Sequence, residues 1–445
     1  MTKTETVSTK ENRFRLFQVT LTIVCFFCLS LFTVDFYAQE QNPLNQSQQF
    51  EKQAVAAYQA KDLNAFLNNI KQAAALRPNH PRLLYILAKA LALNGDLHQA
   101  SKLLRRLASM GMAFRFENDK EFFEKFQPND SAEITRMFAQ NRQPLNQSER
   151  RFTLPEKDLI VESIAYDPAT KRFFFGSVHR GKIKVIDGNN AISEFSSDAD
   201  GLWSVLGMKV DEKRRVLWVC TAALPQFRGF QKTDEGVSAL LKYDLNNNRL
   251  VKKYLLKDST KHVLGDLVIG KNGDVFASDS VSPNIYRLNQ KTDEIESFLT
   301  DKSFVSLQGL TFSPDEKTLF AADYSMGIFK INITTKKIDL IKPTENMAVL
   351  GIDGLYFHKG KLIAIQNGTN PQRLISLSLS KDDSRFTDFK TLEANHPDFS
   401  EPTHGVIVEN KFYYIANSQW EMVNEKGEIP VPEKLQQPVV LRLKL

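Results

Sequence analysis

The sequence predicts a mainly β fold: a six-bladed β-propeller, preceded by a small α-helical domain and an N-terminal hydrophobic export segment. Two observations support the propeller. After Asn141 the apolar residues change from helical spacing to the alternation of half-buried strands. A similar strand pattern then returns at intervals of about 40 to 60 residues, which is typical of propeller blades. The export segment is predicted by an apolar run near the N-terminus.

The composition is that of a globular protein. The chain has 445 residues, of which 42% are hydrophobic and 25% are charged, enough for two folded parts. The net charge of +6 comes from scattered lysines, which argues against a nucleic-acid partner. Cys220 is the one cysteine beyond the N-terminal apolar run, so the mature part has neither an intramolecular disulfide nor a cysteine metal cluster.

Residues 1–38 are predicted to be a signal peptide or a membrane anchor. Lys10, Arg13 and Arg15 precede an uncharged apolar run at 16–34, the charge pattern of an export signal. Cleavage after Ala38 is one alternative; retention of a run just long enough to cross a bilayer is the other. We expect a periplasmic or extracellular protein, or one anchored to the membrane by residues 16–34 alone.

The next two segments are a predicted linker and a predicted helical domain. Residues 39–49 are rich in Gln and Asn, which is typical of a solvated linker. In residues 50–142 the apolar spacing is helical, and the stretch from Leu84 to Leu104 resembles a tetratricopeptide repeat (TPR) with its turn at Gly95-Asp96. This TPR-like domain is interpreted either as a spacer or as a groove for a partner protein.

Residues 150–445 are predicted to form the propeller. Its repeats begin near Glu162, Trp203, Gly265, Gln308, Asp353 and His404. In the third repeat, strands at 265–269, 275–279, 285–288 and 294–299 make one four-stranded blade. The last repeat lacks a fourth strand, and residues 151–153 are predicted to supply it, which would close the ring and cover its free edges.

Several sequence patterns of these repeats resemble the SMP-30/gluconolactonase group of six-bladed propellers. They are Glu162-Ser163-Ile164, Asp266 with Asp279-Ser280, Gln308-Gly309-Leu310 and Asp353-Gly354-Leu355. The resemblance covers about the C-terminal two thirds of the chain, and each pattern alone is weak. It implies a divalent cation, usually calcium, at the top of the central channel, where the first residues of the innermost strands converge.

The resemblance also implies roles for particular residues. Glu162, Asp266, Gln308 and Asp353 would be the metal ligands, and Asp353 would be the catalytic base, with Asp266 as its alternative. Asp266 and Gln308 stand where the family usually has asparagine, so the sequence favours metal binding over lactonase chemistry. The alternative interpretation is that Gln308-Gly309 and Asp353-Gly354 are turns of the blade repeat.

Three further residues lie near the predicted mouth. His404 starts the sixth innermost strand and is a candidate proton shuttle or substrate contact, or else a histidine bonded to a backbone carbonyl. Asn367 and Gln308 are candidate substrate-binding residues, whereas Arg373 is expected in a solvated loop.

The sequence therefore predicts a protein that binds a small molecule and a divalent cation at the channel mouth. If it is an enzyme, we expect a metal-dependent hydrolase of a lactone or ester, because zinc-protease, nucleophile-elbow and phosphate-loop motifs are absent from the sequence. The alternative is a non-catalytic envelope scaffold that binds other proteins through its TPR-like and propeller surfaces.

Overall fold

The computed structural model describes residues 43–256 and 259–445. The predicted signal peptide or anchor, residues 1–38, lies outside the described residues. Within those two ranges, no helix is both long enough and apolar enough to cross a membrane. The described chain begins with six α-helices: α1 (Pro43–Gln59), α2 (Leu63–Leu76), α3 (Pro81–Leu93), α4 (Leu97–Ser109), α5 (Lys120–Phe123) and α6 (Pro128–Asn141).

Short polar residues fix the starts of the helices. Asp62 and Asp96 accept hydrogen bonds from backbone N–H groups in the first turns of α2 and α4, at 2.9 and 3.0 Å. Gly95 adopts a φ of 89°, which favours glycine, and makes the predicted turn between α3 and α4. Successive helices from α1 to α4 pack side by side. Their assignment as TPR-like repeats stays a prediction.

The predicted linker is corrected over residues 43–49, which belong to α1. Leu44 and Ser47 are buried, and the Ser47 hydroxyl donates to the carbonyl of Ala73 in α2 at 2.9 Å. The polar composition of this segment suggested solvation. Leu44 and Ser47, three positions apart in the helix, are buried despite that composition.

The rest of the chain forms six four-stranded antiparallel sheets, which confirms the predicted six-bladed propeller. Blade 1 contains β2 (Val161–Asp167), β3 (Arg172–Ser177), β4 (Lys182–Ile186) and β5 (Ile192–Glu194), and blade 2 contains β6 (Ser204–Asp211), β7 (Val216–Ala222), β8 (Ser238–Asp244) and β9 (Arg249–Leu256). Blade 3 contains β10 (Leu264–Ile269), β11 (Val275–Asp279), β12 (Asn284–Asn289) and β13 (Glu294–Thr300), and blade 4 contains β14 (Leu307–Phe312), β15 (Thr318–Asp323), β16 (Gly327–Asn332) and β17 (Ile338–Leu340). Blade 5 contains β18 (Ile352–His358), β19 (Lys361–Gln366), β20 (Arg373–Leu379) and β21 (Phe386–Ala394), and blade 6 contains β22 (Gly405–Val408), β23 (Lys411–Ile415), β24 (Val439–Lys444) and β1 (Glu149–Thr153).

The first strand of each blade faces the centre of the ring. β2, β6, β10, β14 and β18 contact one another in sequence, and β22 contacts β2. Burial decreases from the centre of the ring outwards. In blade 3, every residue of β11 is buried, whereas most of β13, the outermost strand, is exposed or half-buried. The core is therefore divided among the interfaces between neighbouring blades.

Blade 6 closes the ring with a strand from the start of the propeller domain. β1 pairs antiparallel with β24, with Thr153 opposite Val439 and Glu149 opposite Arg442. The predicted role of residues 151–153 is confirmed. Phe152 adds an apolar contact to this closure, since its ring centroid lies 5.0 Å from that of Phe173 in blade 1.

The innermost strands of blades 1 to 5 share a β-bulge near their start. The register with the second strand shifts, for example, between Val161 and Ser163 and between Ile352 and Leu355. A bulge re-aims the side chain at the irregular position. Glu162 and Asp353 occupy these positions, and both line the cavity at the channel mouth.

The glycines that follow Gln308 and Asp353 allow neighbouring innermost strands to approach each other. A Cβ on Gly309 would lie 2.4 Å from the backbone nitrogen of Leu355, and one on Gly354 would lie 2.9 Å from the carbonyl oxygen of Thr403. Both glycines lie inside strands, so the alternative interpretation as turns is wrong. They are needed for close packing around the axis.

The helical domain packs on blades 4 and 5, at the end of the propeller where the innermost strands begin. Arg77 donates to the carbonyl of Ser325, and the N–H of Ala113 donates to the carbonyl of Asn370, each at 2.9 Å. Ser325 and Asn370 follow the second strands of their blades, which end on that side. The helices therefore lie beside the channel mouth.

Arg373 links the two domains, and its predicted place in a solvated loop is wrong. Its side chain is 1% exposed, because the helical domain covers this part of blade 5. The guanidinium donates to the carbonyl of Met110 at 2.8 Å and to the side chain of Gln366 at 2.7 Å. Burial lowers the pKa of Arg373 to about 10.

Replacing Phe152 tests the ring closure. We expect Phe152→Ala to lower the free energy of unfolding by about 3 kcal/mol, because it removes buried apolar contacts between blades 6 and 1. Thr153→Ala, an exposed position of the same strand, is the matched control and should change stability little. Urea denaturation followed by circular dichroism measures both, and equal midpoints for the two variants would contradict the role of Phe152.

His80, at the start of α3, predicts a pH dependence of stability. Burial, reinforced by Arg77 and Arg82, lowers its pKa from 6.5 to about 4. As the pH falls from 6.5 towards 4 the unfolded chain binds this proton and the folded chain does not, so the stability present above pH 6.5 is lost. In thermal melts, His80→Asn should lose less stability over this range than the wild type, since Asn can cap the helix without titrating. Identical pH profiles would refute this.

Candidate functional site

A cavity of about 400 Å³, here called the mouth cavity, lies where the innermost strands begin. Leu206, Leu224 and Val263, from blades 2 and 3, give it an apolar wall. The rest of the lining is mostly polar and comprises Glu162, Gly265, Ser280, Ser306, Gln308, Tyr324, Asp353, Asn367, Glu401, Thr403, His404 and Trp420. The cavity therefore combines an apolar side with a side rich in carboxylates.

Three buried side chains from three blades converge at this cavity. Glu162, Asp353 and His404 each place one potential metal-ligand atom within 4.8 Å of the other two. They come from blades 1, 5 and 6; blades 5 and 6 follow each other in the chain, and blade 1 lies beside blade 6 because the ring is closed. Two carboxylates and one imidazole at this spacing can bind a cation.

The carboxylate of Glu162 is held on one side only. Its Oε2 accepts hydrogen bonds from the Trp420 indole at 2.6 Å and from the Ser418 hydroxyl at 3.2 Å. Its Oε1 faces the His404 ring, 3.5 Å from Nδ1. One oxygen thus fixes the side chain, and the other is turned towards the cluster.

The carboxylate of Asp353 has the same arrangement. Asn367 donates to its Oδ2 at 2.9 Å, and the carbonyl oxygen of Asn367 accepts from the Tyr324 hydroxyl at 3.0 Å. The Oδ1 lies 4.0 Å from Nε2 of His404. Burial, followed by the charges of Glu162 and Asp266, raises the pKa of Asp353 to about 7 against the opposing effect of His404 and Asn367.

His404 is 3% exposed, and neither of its ring nitrogens has a hydrogen-bond partner among the described residues. The predicted alternative of a ring bonded to a backbone carbonyl is therefore wrong. Burial disfavours the imidazolium, but the carboxylates of Glu162, Asp266 and Asp353 outweigh it and raise the pKa of His404 to about 9. Both nitrogens lie at ion-pair distance from these carboxylates, 3.5 Å for Nδ1 to Glu162 and 4.0 Å for Nε2 to Asp266 and Asp353, but neither makes a hydrogen bond within the described chain, so both can engage a ligand.

Asp266 lies beneath the cluster and is fully buried. Its Oδ1 accepts from the Lys209 ammonium at 3.3 Å, and its Oδ2 accepts from the N–H of Leu310 at 3.3 Å. The Oδ1 is also 4.0 Å from Nε2 of His404. Because both oxygens already have partners, Asp266 is better suited to balance charge than to contact a ligand.

Gln308 lines the mouth cavity, but its amide nitrogen donates to the Ser306 hydroxyl at 3.1 Å. Of the four predicted metal ligands, the structure thus brings Glu162 and Asp353 together with His404, places Asp266 below them and leaves Gln308 in the cavity wall. Asn367 contacts Asp353, where it can orient that carboxylate.

Sequence reasoning missed Glu401 and Trp420. Glu401 has a φ of 67° and accepts a hydrogen bond from the backbone N–H of Trp420 at 3.1 Å. Burial, together with Glu162 and Asp353, raises the pKa of Glu401 to about 7. Trp420 lies in the long loop between β23 and β24, and the length of that loop was the one available sequence signal.

Comparison with known proteins gave structural matches only. No family model matches the sequence, and no curated protein matches it. A gluconolactonase from Xanthomonas campestris is 12% identical, with a TM-score of 0.47 over 68% of this chain and 96% of that one. A virginiamycin B lyase from Staphylococcus aureus is 14% identical, with a TM-score of 0.43 over 66% and 99%. A PQQ-bound aldose sugar dehydrogenase from Streptomyces coelicolor is 11% identical, with a TM-score of 0.46 over 68% and 99%. At these values, the matches assign neither a family nor an activity to this chain.

The Lys209–Asp266 pair allows a stability test. We expect Lys209→Met to lower the free energy of unfolding by about 3 kcal/mol, because it leaves a buried carboxylate without its cation. The double variant Lys209→Met/Asp266→Asn should regain most of this loss. Urea denaturation measures both, and equal loss in the single and double variants would show that the pair does not balance charge.

Proposed function

We propose that the mouth cavity binds a divalent cation and a small molecule, and that it hydrolyses a lactone or ester group of that molecule. The observation that supports this most directly is the convergence of Glu162, Asp353 and His404 in a buried cavity. Each carboxylate keeps one oxygen free of structural hydrogen bonds and turned towards the cluster. Such preorganisation is typical of metal ligands.

The donor atoms fit a cation, and they favour a transition metal. His404 contributes a buried nitrogen without a hydrogen-bond partner, which can bind a metal once the cation displaces its proton, and the two carboxylates contribute oxygens. Calcium prefers a shell of oxygens, whereas one imidazole with carboxylates suits Mn²⁺ or Zn²⁺. We therefore propose Mn²⁺ or Zn²⁺ in place of the calcium that the family resemblance implied.

A cation bound by these three side chains would supply Lewis-acid polarisation of an ester carbonyl. The surrounding residues orient the ligands: Trp420 and Ser418 hold Glu162, and Asn367 holds Asp353. Leu206, Leu224 and Val263 offer an apolar surface to the rest of the substrate. In this proposal Asp353 and His404 hold the cation instead of moving protons as the sequence suggested.

Metal binding by the purified full-length protein tests this proposal. We expect isothermal titration calorimetry to detect Mn²⁺ or Zn²⁺ binding, and Glu162→Gln and Asp353→Asn each to weaken it by at least about tenfold, since each removes a charged ligand. Glu409→Gln, in the exposed turn between β22 and β23 at the opposite end of the blade, is the control and should leave the affinity for the metal unchanged.

A panel of lactones and esters then tests hydrolysis by the metal-loaded protein. The proposal fails if the wild type binds none of the metals or if it binds them and hydrolyses nothing in the panel.

A further inference from the structure

A second cavity of about 590 Å³, here called the rim cavity, shares residues with the mouth cavity. Glu401 and Trp420 line both. The remaining lining of the rim cavity consists of Gln226, Gln372, Phe399, Ser400 and Glu421. The two cavities therefore meet at one carboxylate and one aromatic ring.

The side chains that line these cavities are negatively charged on balance. Within the described chain, their charged residues are Glu162, Asp353, Glu401, Glu421 and His404, with no lysine or arginine. A divalent cation held by Glu162, Asp353 and His404 would balance the charges of Glu162 and Asp353. The negative charges of Glu401 and Glu421 would then have no balancing cation in the described lining of the two cavities. Walls lined by one sign of charge attract ligands of the opposite sign.

Glu401 is held in place by its neighbours. Its φ of 67° is unfavourable for a residue with a side chain, and hydrogen bonds from its N–H to Gln372 at 3.1 Å and from the N–H of Ser418 to its carbonyl at 3.2 Å maintain it. The Trp420 N–H then binds one oxygen of its carboxylate. The backbone and the side chain of Glu401 are thus fixed before any ligand arrives.

Three aromatic residues line the two cavities that share Glu401. The half-buried Trp420 cannot turn freely, because its indole N–H is bonded to Glu162. Tyr324 lines the mouth cavity and Phe399 lines the rim cavity. Aromatic side chains and carboxylates lining the same cavity suit an organic cation.

We propose that the ligand of this site is an organic cation, whose ammonium group binds between Glu401 and Trp420 while its apolar part lies against Leu206, Leu224 and Val263. The inference rests on the proposed function, because it names the substrate class of the same cavity. The mouth cavity also contains the buried His404, whose two ring nitrogens make no hydrogen bond to the described residues, so this cavity has room for a ligand beyond its own side chains. The proposed function assigns those nitrogens to the metal, and the ammonium group is therefore placed at Glu401. The expected substrate is therefore an ester or lactone that carries an ammonium group.

A matched pair of esters tests the inference. Butyrylcholine carries a trimethylammonium group, and 3,3-dimethylbutyl butyrate replaces that group with a neutral carbon of the same shape. For the full-length protein, with Mn²⁺ present, we expect butyrylcholine to show a KM, or a calorimetric Kd where no hydrolysis occurs, about tenfold lower than that of the neutral ester. Equal affinity for the two esters would overturn the proposal.

Glu401→Gln provides the decisive variant. The Gln side chain retains an oxygen that accepts the Trp420 N–H, so the variant should fold, and a thermal melt checks this. We expect it to reduce the preference for butyrylcholine to less than about twofold, with Mn²⁺ affinity measured alongside and the metal added to saturation for each variant. Glu409→Gln, the distant control, should keep the full preference. A preference retained in a folded Glu401→Gln would also overturn the proposal.

Failure of the two proposals can be told apart. If butyrylcholine is preferred in a manner that depends on Glu401, but neither ester is hydrolysed and no metal binds, the hydrolase proposal fails and the cation site stands. If esters are hydrolysed with Mn²⁺ but without preference for the ammonium, the cation site fails and the hydrolase proposal stands.

Discussion

The pairing of β1 with β24 is the contact on which the rest of the structure depends. It joins the start of the propeller to its end and covers the edge that β24 would otherwise expose. It also brings blade 6 against blade 1, where the N–H of His404 and the hydroxyl of Thr403 both donate to the carbonyl of Glu162, at 3.3 and 2.7 Å. Closing the ring therefore also assembles the candidate site.

The buried charges of the mouth follow from this closure. Carboxylates removed from water are unfavourable unless they gain partners. Asp266 gains Lys209, Asp353 gains Asn367, and Glu162 gains Trp420 and Ser418. His404 is the exception, since its ring faces all three carboxylates without a hydrogen bond. These nitrogens, together with the nearby oxygens of Glu162 and Asp353, form a set of ligand atoms without hydrogen bonds among the described residues, which is the physical reason for proposing a cation there.

Sequence reasoning succeeded where a local pattern reports a local structure. Alternating apolar residues and turns gave the strands of each blade, and the missing fourth strand of the last repeat pointed correctly to residues 151–153. It failed for Arg373, because a charged residue after a loop is usually solvated and only the docked helices bury it. It failed for Glu401 as well, since neither its backbone conformation nor its position beside Trp420 leaves a local signal.

By itself, the sequence determined the number of blades, the helical character of the segment before them and the presence of carboxylates at the starts of innermost strands. These follow from residue spacing and from the repetition of one strand pattern. The tertiary structure alone decided which of those carboxylates meet. Glu162, Asp353 and His404 are separated by 191 and 51 positions in the chain, and their ligand atoms lie within 4.8 Å of one another because the ring closes and bulges turn Glu162 and Asp353 into its mouth.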